Sequence, residues 1–552
     1  MKRCPECGRE YDSSMMFCLD DGAELLYGPA SMGKQATAIL RESELPGEAP
    51  TRPLIASDAD TSATRSRKTR WNIVAMVCLL AAAALGAGSY LYYVRGDSRQ
   101  IDSIAVMPFV NESGNPDVEY LSDGMSESLI NSLSTLPNLS VKARNTVFRY
   151  KGKEIDEKKV GQELSVQAVL FGRFIQRGED LTLFLSLVDS RTGNAIWGEQ
   201  YDRKMKDLPV LRNDMARDVA QKLRTRLSSA DTNNLTKNYT ANAEALRLYF
   251  YGRYSWSKRT TESVRKSIEY FNQAIEKDPN FALAYSGLAD AYVVPVLGMP
   301  PRDVMPKAMA AATRALEIDN TLAEAHTSLA RVLQAYDWNW SEAEKEYKRA
   351  LDLDPRYALA HQWYGGYLER TGRMEESIAE RRIAVELDPL SASPNFELGL
   401  AYFFSRDYDQ AIRQFQHALD LEPGFPVALS MLCIAYAENG QHELALAKVQ
   451  EIQEDNSLIS AGQVYAKAGR KDDAMRIIEK LERRTRQGHI PATTFAFIYA
   501  ALGDKEKAIA YLEKGYEERA FQMQFLKVDP RWDKLRDDPR FADLMRRVGL
   551  AE

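Results

Sequence analysis

The residues best suited to chemistry near the N-terminus are three cysteines within the first 18 positions. Cys4 and Cys7 form a CxxC pair, and Cys18 begins a similar segment in which Asp21 stands where a fourth cysteine is expected. Two turns that each present two ligands suit the tetrahedral coordination of Zn²⁺. The spacing therefore predicts a zinc site formed by Cys4, Cys7, Cys18 and Asp21.

Residues 1–26 resemble a zinc ribbon, although three thiolates and one carboxylate form a rarer ligand set than four cysteines. Asp20 could compete with Asp21 for the fourth position, and a cysteine-bearing tail without metal is the alternative interpretation. Because a segment of this size has almost no hydrophobic core, it should be unfolded without a metal. No side chain nearby resembles a general base, so we predict that the ion is structural.

Other groups that could act in catalysis are sparse. The chain has five histidines, all beyond residue 325. His326 and His361 occupy equivalent positions of adjacent repeats, where a packed or groove-lining imidazole is a simpler interpretation than a metal or catalytic pair. Cys433 lies alone in an apolar helix and is most simply a small core residue. Since no segment combines a nucleophile or metal site with an acid–base partner, we expect no enzymatic activity.

A repeated pattern begins near residue 242. Prolines that end apolar helices recur at Pro355, Pro389 and Pro423, 34 residues apart. This period is typical of tetratricopeptide (TPR) repeats, which are helix–turn–helix units. The residues at the packing positions of the pattern are Gly365, Ala384, Pro389, Leu398, Gly399, Tyr402, Ala411, Phe415, Ala418 and Pro423. Ser377 and Arg381 depart from the pattern, which predicts looser packing around them.

The repeats predict an all-α TPR solenoid of about eight hairpins over residues 242–520, followed by polar-faced capping helices over 521–552. Stacked hairpins form a concave groove that usually receives an extended peptide or a helix from a partner. We therefore expect proteins or peptides to bind in this groove.

Residues 101–230 contain short apolar runs and amphipathic stretches in the order β-α-β-α-β-β-β-α, which predicts a small mixed α/β domain. The segment Arg177-Gly-Glu-Asp180 is a hairpin signal between two strands. Ser122 and Asp123 precede an amphipathic run and are predicted to cap a helix.

Three stretches of this segment carry a resemblance to a known domain. They are IAVMPFVNESGNPDVEYLSDGMSESLINSL at 104–133, FRYKGK at 148–153 and WGEQYDR at 197–203. Together they resemble the TolB-N/FlgO-like domain of bacterial envelope proteins. The resemblance implies a non-catalytic extracytoplasmic module for protein contacts or sensing.

Residues 71–94 form an uncharged apolar run. At about 1.5 Å per residue, a helix of this length could cross a hydrocarbon core of about 30 Å, which predicts a transmembrane helix. The preceding residues 27–70 are rich in Ser, Thr, Ala, Pro and Gly and predict a disordered linker. Basic residues are in excess before the run, which predicts a cytoplasmic N-terminus. We therefore expect a single-pass protein of the inner (cytoplasmic) membrane with residues 95–552 extracytoplasmic.

The charge balance argues against a nucleic-acid-binding protein, since 72 basic and 78 acidic residues give a net charge of only −6. Neither nucleic acid nor a small-molecule substrate is expected. The fold class is multidomain: a zinc-ribbon-like N-terminus, one transmembrane helix, a mixed α/β domain and a TPR solenoid. The predicted function is a non-enzymatic, membrane-anchored scaffold that binds partner proteins through the solenoid. The alternative is a transmembrane signalling receptor that couples binding outside the cytoplasm to the zinc-ribbon segment inside it.

Overall fold

The computed structural model describes two compact units, Met1–Gly96 and Asp97–Glu552, to different extents. It describes residues 2–3, 10–11 and 101–551, except 137–138, 154–155, 224–227, 229–234, 236, 238, 259, 295–298, 452–453 and 487–488. In the first unit, strands β1 (Lys2–Arg3) and β2 (Glu10–Tyr11) pair in antiparallel fashion.

The second unit begins with an α/β domain. Its strands are β3 (Ser103–Val106), β4 (Val110–Asn111), β5 (Ser140–Val141), β6 (Ala168–Arg177), β7 (Asp180–Asp189) and β8 (Ala195–Lys204). Its helices are α1 (Glu119–Ser134), α2 (Arg144–Phe148), α3 (Glu157–Leu164) and α4 (Leu208–Lys222). The strands form one six-stranded sheet in the order β5-β3-β6-β7-β8, with β4 beside β6. β3 is parallel to β5 and β6, and β4 is parallel to β6, whereas β7 is antiparallel to both β6 and β8.

The mixed α/β character agrees with the prediction, and the hairpin between β6 and β7 is confirmed. Arg177 pairs with Asp180, and Gly178 in the turn has a φ of 60°, which glycine adopts without steric cost. The structure adds β4 and α2 to the predicted order. Elements of two and five residues are too short to show a hydrophobic period.

The prediction that Ser122 and Asp123 cap a helix is wrong. Helix α1 begins at Glu119, so both residues lie inside it and are buried. Asn115 caps the preceding 3-10 turn instead. Asp123 remains within the helix because Lys151 approaches its carboxylate to 2.5 Å and compensates its burial. In the local sequence, a polar residue that forms an ion pair with a distant residue cannot be distinguished from one that caps a helix.

Among the described residues after α4, eight helical hairpins are followed by a C-terminal segment. The first helices of the hairpins are α5 (Ala243–Ser257), α7 (Ala282–Val293), α9 (Ala323–Val332), α11 (Ala358–Arg370), α13 (Ala392–Phe404), α15 (Pro426–Glu438), α17 (Glu454–Lys467) and α19 (Ala492–Leu502). The second helices are α6 (Thr261–Lys277), α8 (Pro301–Ile318), α10 (Trp340–Leu353), α12 (Met374–Leu387), α14 (Tyr408–Leu421), α16 (His442–Glu451), α18 (Lys471–Thr485) and α20 (Lys505–Glu517). The C-terminal segment contains 3-10 helices at Phe521–Phe525 and Pro530–Leu535 and the helix α21 (Pro539–Arg547).

Small residues lie where the two helices of a hairpin approach closely. A Cβ atom on Gly399 would lie 2.7 Å from the ring of Phe415, and one on Gly365 would lie 2.7 Å from Cγ of Arg381. Arg381 lies one 34-residue period before Phe415 and is fully buried. The Arg381 side chain thus fills the position that an aromatic ring fills in the next hairpin. This close contact differs from the looser packing that the departure of Arg381 from the repeat pattern predicts.

The α/β domain and the first hairpin share one hydrophobic core. Tyr120 of α1 stacks on Tyr251 of α5 with ring centroids 3.4 Å apart. A Cβ atom on Gly124 would lie 2.4 Å from the ring of Phe250, so α1 and α5 are in close contact at this point. The two parts therefore pack as one body.

The transmembrane part of the predicted architecture is corrected. No helix in the part of the chain that the structure describes is long and apolar enough to cross a membrane. The longest described hairpin helix, α8, has 18 residues and carries several charged side chains, whereas a membrane span needs about 20 mainly apolar residues. The predicted run 71–94 and linker 27–70 lie outside the described residues. Because no described helix could cross a membrane, the predictions of a transmembrane helix and of an inner-membrane localisation are both withdrawn.

Candidate functional site

The first helices of the hairpins together line a concave groove with a cavity of about 1,460 Å³. All eight of them contribute residues to its wall. The second helices α10, α12 and α14 reach the groove only with their last residues, Leu353, Leu387 and Leu421. The cavity exceeds the roughly 300–1,000 Å³ of typical small-molecule pockets. Its size and extent suit a polypeptide segment.

Charged and aromatic side chains are dispersed along this groove. Its basic residues are Arg144, Arg149, Arg212, Arg253, Lys258, Arg331, Arg356, Arg370 and Arg531, and its acidic residues are Glu127, Glu324, Asp354, Asp388, Glu397 and Glu422. Its tryptophans and phenylalanines are Phe148, Phe250, Trp256, Phe281, Trp363, Phe396, Phe404, Phe425, Phe497, Phe521 and Phe525. Basic residues outnumber acidic ones although the chain as a whole is acidic.

The α/β domain forms one side of the groove and reaches the loop after α12. Thr146 and Asn145 of α2 donate hydrogen bonds to the two carboxylate oxygens of Asp388, at 2.5 and 3.1 Å. Arg149 donates to the carbonyl of Leu390 at 2.7 Å. These bonds join residues more than 240 positions apart, so the groove is bounded by the α/β domain as well as by the repeats.

A buried ion-pair network fastens the α/β domain to the first hairpins. Glu127 of α1 lies 2.8 Å from Arg144 of α2 and 2.7 Å from Arg253 of α5, and Arg253 lies 3.6 Å from Asp290 of α7. Burial alone would raise the pKa of Glu127, but Arg253 and Arg144 outweigh it and lower that pKa. The carboxylate is thus held in its charged form between two cations.

The C-terminal segment returns to the third hairpin and contributes residues to the groove wall. Gln334 donates to Gln524 at 2.8 Å, and the Trp340 indole donates to the carbonyl of Val548 at 2.8 Å. These pairs are 190 and 208 positions apart. The segment therefore does more than cover the last repeat, because it also joins the last repeat to the third hairpin.

Aromatic rings of this segment stack on groove arginines. The Arg331 guanidinium lies 5.6 Å from the ring centroid of Trp363 and 5.0 Å from that of Phe521. The Arg370 guanidinium lies 4.2 Å from the ring centroid of Phe525. Cation–π contacts at these distances hold the two guanidiniums in place.

A second buried charge cluster lies behind this wall. The Glu369 carboxylate is fully buried, 2.8 Å from Arg381 and 3.7 Å from Arg370. Burial raises the pKa of Glu369 to about 7 and lowers the pKa of Arg370 to about 10. Neither oxygen of Glu369 has a hydrogen bond of good geometry with a described residue, so the attraction to the arginines is mainly electrostatic.

His326 and His361 each connect the two helices of their own hairpin. Nδ1 of His361 lies 2.6 Å from a Glu380 oxygen, and its Nε2 lies 2.9 Å from the carbonyl of Pro355. His326 has the same arrangement with Glu346 and the carbonyl of Asn320, at 2.5 and 3.0 Å. In His361 both ring nitrogens face acceptors, which favours the protonated imidazolium. Each histidine thus forms a brace, by which we mean a side chain that connects the two helices of its hairpin. The two histidines lie 35 residues apart, which is close to the 34-residue repeat.

The His361 brace predicts a pH-dependent contribution to stability. Burial on its own lowers the pKa of His361, but Glu380 and the Pro355 carbonyl outweigh it, so the pKa is raised. The stabilisation is therefore complete below the unfolded-state pKa of about 6.5 and is lost as the pH rises through the higher folded-state value. In urea unfolding between pH 6 and 9, His361→Gln should lose this pH-dependent component.

The exposed His417 provides the control for this measurement, and His417→Gln should keep the wild-type profile. Asp354, whose pKa burial raises to about 6, titrates nearby and is common to both variants. An unchanged profile in His361→Gln would contradict the brace.

The structure buries most of the residues at predicted repeat-packing positions. Ala384, Ala411, Phe415 and Ala418 are fully buried, Leu398 and Tyr402 are nearly so, and Pro389 and Pro423 lie in the turns after α12 and α14. Cys433 is also buried, and burial raises the pKa of its thiol to about 12.

The predicted zinc ligands Cys4, Cys7, Cys18 and Asp21 lie outside the described residues. Within the described ranges, no group of three or more potential ligands is placed to hold a metal ion. The groove arginines and the Glu127 network have no counterpart among the sequence-based predictions. Among the residues of these charge clusters, only Arg381 could be singled out from the sequence, because an arginine stands there where the next repeat has the aromatic Phe415.

Comparisons with known proteins agree with this division of the chain. Residues 99–218 match the second domain of HilA/YgeH-like transcriptional regulators. Residues 338–392, 405–458 and 493–522 each match a tetratricopeptide repeat family. The predicted C-terminal TPR repeats are confirmed, and the α/β domain is HilA-like. Its resemblance to the TolB-N/FlgO-like domain stays a prediction.

Three relatives share parts of the chain. A putative adenylate cyclase 3 of Rhizobium meliloti is 30% identical over 42% of this chain and 40% of its own length. The transcriptional regulator HilA of Salmonella typhimurium is 26% identical over 40% of this chain and 41% of its own. The type IV pilus assembly protein PilF of Pseudomonas aeruginosa is 36% identical over 27% of this chain and 60% of its own. A solved PilF structure has a TM-score of 0.29 at 27% identity, over 35% of this chain and 90% of that one.

The chain thus spans about two fifths of the length of the first two relatives. Their named activities belong to proteins that are mostly unmatched here. The part that the matches have in common with this chain includes TPR repeats, which generally bind protein or peptide partners.

Proposed function

We propose that the protein is a non-enzymatic scaffold that holds an extended segment of a partner protein in its concave groove. The observation that carries the proposal is the continuous cavity of about 1,460 Å³ lined by the first helix of every hairpin. Solenoids of helical repeats use such concave surfaces for binding. The α/β domain and the C-terminal segment bound the same groove, so they would help to position the bound segment.

Exposed apolar side chains in the groove support this function. Val427 of α15 and Ile459 of α17 are 49% and 43% exposed, and both line the cavity. Large apolar residues that remain accessible in a concave surface mark an interaction site when they are grouped. A partner segment would cover them and gain the free energy of apolar burial.

A cross-linking experiment with the full chain as bait tests this proposal. Introducing a charge into the groove with Val427→Asp or Ile459→Asp should abolish capture of the partner, since a buried unpaired carboxylate is costly in an interface. Leu444→Asp is the matched control, because Leu444 is 51% exposed on the second helix α16 and does not line the groove. Equal capture by all three variants would refute groove binding.

We further propose that the N-terminal segment holds one structural Zn²⁺. The ligands would be Cys4, Cys7, Cys18 and Asp21, with Asp20 as the alternative to Asp21. The pairing of β1 with β2 supports the proposal, because it brings together the two ends of the segment that contains the CxxC pair. Purified full-length protein should contain about one zinc ion per chain, and Cys7→Ser should lose it. Metal analysis that finds no zinc would exclude the site.

A further inference from the structure

We propose that the groove selects an acidic protein segment, whose carboxylates bind arginines that line the groove without a carboxylate partner of their own. This inference rests on the proposed function, because it specifies the chemistry of the segment that the groove holds. The arginines concerned are Arg149, Arg212, Arg331 and Arg356.

These arginines differ from the other basic residues of the groove in their partners. A carboxylate lies within 2.8 Å of each of Arg144, Arg253 and Arg531. Arg331 and Arg356, in contrast, form no ion pair with any residue that the structure describes. Nε of Arg356 is buried and has no hydrogen-bond partner among those residues. Both side chains are only partly buried, so an incoming carboxylate can reach them.

A further arginine of this set, Arg212, is a buried cation at the cavity wall. Arg212 is 9% exposed, and its described partners are Ser128, Ser132, the Asn213 amide and the Lys237 carbonyl. Because a buried guanidinium that lacks an anion is costly, Arg212 favours a ligand that brings negative charge. Arg370, also at the wall, is already paired with Glu369 at 3.7 Å.

Aromatic contacts hold one of these arginines at the groove wall. The ring centroids of Trp363 and Phe521 lie 5.6 and 5.0 Å from the Arg331 guanidinium. The N–H groups of a guanidinium lie in its plane, and a carboxylate binds in that plane through two parallel hydrogen bonds. The aromatic residues therefore help to keep Arg331 in a place where a carboxylate can bind it.

The acidic residues of the groove do not offset this positive charge fully. Glu127 pairs with Arg144 and Arg253, and Glu397 pairs with Arg381 at 2.8 Å. Burial raises the pKa of Asp354 to about 6 and also raises the pKa of Glu324. The groove therefore remains complementary to a ligand of negative charge.

A protein segment fits this pattern better than a nucleic acid does. The groove interleaves its arginines with six carboxylates and with apolar residues such as Val427 and Ile459. A phosphate backbone carries a charge at every nucleotide and would meet these carboxylates, whereas a peptide can alternate acidic and apolar side chains. Apolar side chains of a bound peptide could also pack against the exposed apolar residues of the groove.

The test is selection of ligands from a random 12-residue peptide library displayed on phage, with the full chain as target. Selected peptides should be enriched in Asp and Glu, and their affinity should fall as the salt concentration rises. In fluorescence anisotropy, Arg331→Gln with Arg356→Gln should weaken the binding of an enriched peptide by about tenfold or more, since the peptide would lose charge-assisted hydrogen bonds to two guanidiniums.

Arg349→Gln is the matched control, because Arg349 is exposed on α10, the second helix of the hairpin that carries Arg331. It should leave the affinity unchanged. If the selected peptides are neutral or basic and the Ile459→Asp variant no longer binds them, the proposed acidic preference is wrong and the proposed function stands. A library that yields no binder would overturn both. Tighter binding of a labelled 12-nucleotide single strand than of any selected peptide would overturn the choice of a protein ligand.

Discussion

Replacing Arg381 with methionine is expected to destabilise the folded chain by about 3–5 kcal/mol at pH 8, because a buried carboxylate loses its nearest cation. Arg381 and Glu369 are both fully buried, and their charged groups lie 2.8 Å apart. Arg370 is 3.7 Å from Glu369 and cannot replace the lost contact at that distance. Urea unfolding of the wild-type and variant chains measures the difference.

The pH dependence of this variant identifies the cause. Burial raises the pKa of Glu369 to about 7 even with Arg381 present. A carboxyl group with a raised pKa binds a proton more readily in the folded state, so stability falls as the pH rises from the unfolded value towards the folded one. Without Arg381 this pKa rises further. The deficit of Arg381→Met should therefore be smaller at pH 5 than at pH 8.

Two comparisons separate electrostatics from simple loss of packing. The double variant Glu369→Leu with Arg381→Met should recover most of the lost stability, because apolar residues of similar volume can replace a buried ion pair. Arg382→Met, at the exposed neighbouring position, should cost less than about 1 kcal/mol. A double variant as unstable as Arg381→Met would show that the guanidinium acts through its shape.

The second large effect is expected at the joint between the α/β domain and the solenoid. Glu127→Ala should destabilise the chain by about 3–5 kcal/mol, because the partly buried guanidiniums of Arg144 and Arg253 lose their shared anion. Since Arg253 belongs to α5 and Arg144 to α2, the loss should also loosen the contact between the two parts. Unfolding in guanidinium chloride should then show two transitions where the wild-type chain shows one.

The acid side of the stability profile provides a further check on Glu127. Its pKa is lowered in the folded state, so its contribution is present above the unfolded value of about 4.5 and is lost as the pH falls through the folded one. Glu262→Ala is the control, because the pair of Glu262 with Lys266 lies at the surface. It should cost less than about 0.5 kcal/mol. A similar cost for both variants would contradict a buried network.

Several elements of the fold could be predicted because their causes are local. Pro355, Pro389 and Pro423 recur every 34 residues and mark where helices end. Gly399 indicates where the two helices of one hairpin approach closely. The turn at Gly178 reports a hairpin between neighbouring strands. In each case the residues that cause the structure lie within about one repeat of one another, and the pattern survives in the sequence.

Errors and omissions arose where a distant contact overrides a local pattern. Asp123 looks like a helix cap but pairs with Lys151, so α1 begins earlier than the pattern indicates. The predicted boundary between the α/β domain and the repeats separates elements that share one hydrophobic core. The predicted membrane span falls outside the described residues, and no described helix could cross a membrane.

The sequence by itself determined the helical hairpins, the mixed α/β character of residues 101–230 and the class of protein-binding solenoid, because local periodicity and turn residues encode them. Only the tertiary structure decided the character of the groove. Arg149 belongs to the α/β domain, whereas Arg331 and Arg356 belong to the third hairpin and the turn after it, and tertiary packing brings all three to one groove. The C-terminal segment adds Phe521 and Phe525 to the same groove from almost 200 residues beyond Arg331. A charge in such a position has the same local sequence as one that faces solvent, so the proposed ligand preference rests on long-range packing.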